Sequence, residues 1–90
     1  MTNTQERERD ESAEKQARED RRTLIGKRVI HILGQPEGLQ AVQVRALWQN
    51  HYRVNVFVGP DVISSKIVHS YFVESDIDGN IVKSTPKITS

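Results

Sequence analysis

The sequence contains no cysteine, which excludes disulfide frameworks, thiolate nucleophiles and thiolate-held zinc or iron–sulfur centres. Aromatic residues are few, with one Trp, two Tyr and two Phe, and this scarcity argues against a surface that stacks many bases. No stretch approaches the roughly 18 consecutive apolar residues of a membrane span, and the first residues lack the apolar run of a secretory leader. A cytoplasmic location with no membrane contact is the resulting expectation. An excess of one charge is missing too: 13 basic and 12 acidic residues leave a net charge of +1, far from the balance of a dedicated nucleic-acid binder.

What remains is a chain of 90 residues, enough for one small core. Residues 1–22 hold seven acids and six bases, and apart from Met1 nothing apolar larger than Ala, so the core must come from the rest. A domain of that size buries only about 60% of the surface its unfolded chain exposes, which gives self-association a fair prior. The expected division is a charged arm over 1–22, disordered or partly helical, an α+β domain over 23–86 and a loose tail over 87–90. Within the arm, Arg7 with Glu11, Glu11 with Lys15, Glu14 with Arg18 and Lys15 with Glu19 favour a helix. Glu6 with Asp10, Asp10 with Glu14 and Arg18 with Arg22 oppose it, and no apolar stripe is present to dock it.

Apolar periodicity begins at Leu24, Ile25, Val29, Ile32 and Leu33, the stripe of a helix that Gly34 and Pro36 terminate. The period then changes to two. Val42, Val44, Ala46 and Trp48 share one face of a strand over 40–48, with Gln43, Arg45 and Leu47 on the other. Across a short link at Gln49 and Asn50, Tyr52, Val54, Val56 and Val58 face inward, and Arg53, Asn55 and Phe57 outward. Asp61 can cap a turn through Ser64 or Ser65. Residues 66–74 read as a third strand in preference to a helix over 61–71, because the turn Asp76 to Asn80 and the returning Ile81 and Val82 require an extended partner. The fold class is therefore α+β: one helix packed on an antiparallel meander of about four strands.

Chemistry-bearing motifs are sparse. His31, His51 and His69 lie too far apart in sequence to form a local metal pair. Ser70 neighbours His69, but adjacent strand residues point to opposite faces, so the two form no dyad. Asp76, Asp78 and Asn80 imitate the start of a calcium loop, yet Gly79 falls at the fourth position instead of the sixth and Lys87 takes the twelfth, where a bidentate Glu is needed, so a hairpin turn is the better reading. No cofactor and no catalytic residue are expected. The leading reading is a non-enzymatic module that binds a protein or itself as a homodimer, through Leu39, Leu47, Phe57, Ile67 and Tyr71 on the face away from the helix. The alternative is a weak nucleic-acid binder using Lys27, Arg28, Arg45, Arg53, Lys66 and Lys83. Trp48 and Tyr52 count against it, because both fall on the face assigned to the core.

Overall fold

The structure of the protein, a computed structural model, describes residues 4–89, with side chains from residue 11 onward. Helix α1 (Thr4–Leu33) is followed by strands β1 (Leu39–Trp48), β2 (His51–Val58), β3 (Lys66–Ser75) and β4 (Ile81–Thr85). The strands form one antiparallel sheet in the order β1-β2-β3-β4, a plain meander with the helix on one side.

The helix is continuous from the charged segment into the apolar one. Its 30 residues span about 45 Å. Residues 11–18 are exposed, as expected of a segment without an apolar face, and Gln16 Nε2 donates to Asp20 Oδ1 one turn away at 2.9 Å. The pairs that involve Glu6, Arg7 and Asp10 lie outside the described side chains. Docking starts where the apolar residues start: Ile25 and Val29 are fully buried, and Leu33 nearly so. Gly34 then ends the helix at φ 82°, its N–H donating to the Ile30 carbonyl at 2.9 Å.

The sheet's contribution to the core is Tyr52, Val54 and Val56 from β2 and Tyr71 and Val73 from β3. The C-terminal residues, read from sequence as a loose tail, include one that is anchored. Ile88 is buried in the same cluster, and its N–H donates to Ser84 Oγ at 3.2 Å. Gly26 sits where the helix crosses β1, and a Cβ there would lie 3.1 Å from a Val44 methyl. The helix propensity that Gly26 costs thus goes with a close helix–strand approach. At the β3–β4 turn, Gly79 takes φ 82° and packs under Leu24. Asp76 holds the same turn, accepting from the N–H groups of Asp78 at 2.9 Å and Asn80 at 2.8 Å. Its carboxyl is held below the ordinary range, chiefly by the Asn80 side-chain amide and then by the Asn80 N–H. Arg28 of the helix donates to Asn80 Oδ1, tying the helix to this turn.

Strict alternation fails at several points of the sheet, and each is a bulge. Leu39 pairs with Val58 but Ala41 with Phe57, so Gln40 is an extra residue. Ala46 pairs with Tyr52 and Trp48 with His51, which leaves Leu47 extra. Val56 pairs with His69 but Phe57 with Ile67, which leaves Val68 extra. Each inserted residue shifts the in–out alternation beyond it by one.

Candidate functional site

These bulges determine what the two faces carry. Trp48, expected inside, is turned to the side away from the helix and is 60% exposed. Leu39 and Tyr71, expected on that far side, lie instead on the helix side. Tyr71 is 3% exposed opposite Val54, and Leu39 packs against the core opposite Val58. Burial there pushes the Tyr71 phenol pKa up. Phe57 and Ile67 are placed as expected, as cross-strand partners on the far face, and Leu47 is an exposed bulge residue.

The far face carries no covering element among the described residues. At one end lies an aromatic cluster. The Trp48 and His51 rings stack at 4.8 Å between centroids and 27° between planes, and Phe72 lies 5.4 Å from Trp48 and 5.7 Å from His51. His51 is fixed on this surface by its Nδ1–H, which donates to the Gln49 carbonyl at 2.5 Å, and its Nε2 is 3.9 Å from Glu74 Oε1.

Next to the rings, Arg45 and Arg53 are direct cross-strand partners, and Arg53 is in turn opposite Phe72. Two like charges placed opposite each other on a sheet repel. Neither is matched by a carboxylate, since His51–Glu74 is the one such contact within 4.0 Å among the described residues. A polar row follows: Asn55 Nδ2 donates to Gln43 Oε1 at 3.2 Å, and Ser70 Oγ donates to Asn55 Oδ1 at 2.6 Å. Arg53 Nη1 lies 3.5 Å from the same Ser70 oxygen. Phe57, Ile67 and Val68 close the far end of the face, beside the exposed loop residues Val62 and Ile63.

The six cations considered from sequence do not gather. Arg45 and Arg53 are adjacent, and Lys83 joins their face opposite Glu74. Lys27 and Arg28 belong to the helix layer, and Lys66 begins β3 opposite Val58, on the helix side of the bulge. The histidines are also dispersed. His31 is exposed in the last helical turn, and His69 stacks on Tyr71 at 5.8 Å on the helix side. His69 and Ser70 point to opposite faces of β3, as strand geometry demands. Among the described residues no group of three or more His, Asp or Glu could hold a metal ion, and no helix is long and apolar enough to cross a membrane.

A second feature lies at the sheet's margin. Between α1 and β1 runs an apolar groove of about 470 Å³, lined chiefly by Gly26, Ile30, Leu39, Val42 and Val44. No family model, curated protein or solved structure matches the chain.

Proposed function

We propose that the protein is a non-enzymatic, cytoplasmic self-association module in which β1 pairs antiparallel with β1 of a second copy. The observation that carries this reading is the contrast between the two sheet edges. β4 is five residues long, carries Lys83, and is followed by Pro86 and Lys87, the usual devices that discourage strand addition. β1 is ten residues long, has Arg45 as its single charge and contains neither Pro nor Gly. An edge of that kind is a template for another strand.

A second copy fits the edge on three counts. It supplies a strand of equal length and matching alternation. It brings a second groove, so that Val42 and Val44 of both copies meet beneath the two helices. It also adds apolar burial to a core in which nine hydrophobic residues are buried among those described.

Light scattering across a concentration series tests this, and a concentration-dependent dimer is the expected result. Replacing Ala41 and Gln43 together by Lys gives β1 three cations on its outward row, Arg45 included. Every antiparallel register centred from residue 41 to residue 45 that keeps the faces matched then sets like charges opposite one another. The dimer should weaken by about tenfold or more, while the circular dichroism of the monomer stays unchanged. A wild-type chain that remains monomeric at millimolar concentration would overturn the reading.

A further inference from the structure

We infer that the uncovered sheet face is a binding platform for single-stranded nucleic acid, with phosphates at Arg45 and Arg53 and bases stacked on Trp48, His51 and Phe72. This inference does not depend on pairing at the β1 edge.

Three observations converge on this class of ligand. First, two guanidinium groups stand opposite each other with no carboxylate within 4.0 Å of either, and a contact of Arg53 Nη1 with Ser70 Oγ at 3.5 Å is the one side-chain hydrogen bond they make among the described residues. Such a pair awaits an anion, and guanidinium forks match phosphate oxygens. Second, the adjoining surface is a group of planar rings, and its largest member is 60% exposed. An acidic peptide would satisfy the arginines but would leave this aromatic surface bare. A nucleotide carries an anion and a flat π-face in one unit, and stacking tolerates any base. Third, Gln43, Asn55 and Ser70 form a hydrogen-bonding row beside the arginines, able to meet the edges of unpaired bases. A four-stranded sheet displaying rings and cations on one open face is a geometry suited to splayed single strands, not to a closed duplex.

The charge count bounds the strength. Three cations, Arg45, Arg53 and Lys83, share this face with one acid, Glu74, which stands opposite Lys83 and beside His51, so only two or three phosphates are neutralised. For a single strand the logarithm of affinity should then fall against the logarithm of salt with a slope of about −1.4 to −2.1.

Trp48 is the sole tryptophan, so its fluorescence reports this site alone. Titration of the full chain at low salt with oligothymidylate and oligoadenylate on the order of ten nucleotides long should give saturable quenching with that shallow slope. The double substitution Arg45→Glu with Arg53→Glu should abolish binding. Trp48→Ala, followed by anisotropy of labelled oligonucleotide, should weaken it by about fivefold or more. Both variants alter exposed side chains, and their circular dichroism should match the wild type. Absence of quenching would overturn the inference. So would inorganic polyphosphate binding as tightly as oligonucleotide with Trp48→Ala without effect, because the face would then be a plain anion site.

Discussion

On its helix side the sheet presents Val54, Val56 and Val73, all fully buried, whereas the same strands turn Arg53, Asn55 and Phe72 to the other side, where none is buried. The first set is compact and β-branched, suited to a pleated surface under a helix. The second mixes a cation, an amide and a ring, and helix packing requires none of them. Removing side chains from the first set should cost the fold, and removing them from the second should cost only what the protein does with that surface.

The sharpest break in this comparison is at Ile25, the helix residue seated among those valines. Ile25→Ala should destabilise the protein by about 2–5 kcal/mol, measured by urea denaturation, because a core this small has little room to collapse around the cavity. An intermediate effect is expected at the β3–β4 turn, which ties sheet to helix through Asn80 and Arg28. The Asp76 carboxyl is depressed in the folded state. Its contribution is therefore present above the ordinary carboxylate value of about 4 and is lost as pH falls through the lower folded value. Amide protection at Asp78 and Asn80 should drop over that acidic window, and unchanged protection well below it would refute the role. The smallest effect belongs to the far face. Trp48→Ala should change stability by no more than about 0.5 kcal/mol, and a loss as large as that at Ile25 would erase the distinction between the faces.

Much of the fold could be read from local chemistry. Gly34 and Pro36 mark the helix end, Asn50 takes the positive φ that its link needs, and the Asp76–Asn80 turn calls for an extended segment before it. The helical course of residues 4–22 was less legible, because helix-forming residues without an apolar stripe leave helix and coil close in free energy.

The candidate surface was legible only in part, and the misplacements share one cause. Trp48 was placed by counting in twos from Val42, Val44 and Ala46, and the bulge at Leu47 breaks that count; bulges at Gln40 and Val68 likewise put Leu39 out of step with Gln43 and Tyr71 out of step with Ile67. One signal was present in the sequence at the first of these. Leu47 and Trp48 are consecutive bulky residues, and alternation cannot bury both. The same cue stands at Ile67 and Val68, whereas at Gln40 nothing distinguishes the extra residue from its neighbours.

The bulge at Leu47 makes the display of Trp48 a matter of arithmetic more than of side-chain identity. Because Leu47 is the extra residue, excising it would leave Trp48 directly after Ala46 and still opposite His51, so ordinary alternation would keep the indole on the far face. What displays the ring is its place opposite His51, a pairing that loss of the extra residue leaves in step and that only a bulge drawn out into regular pairing would reverse.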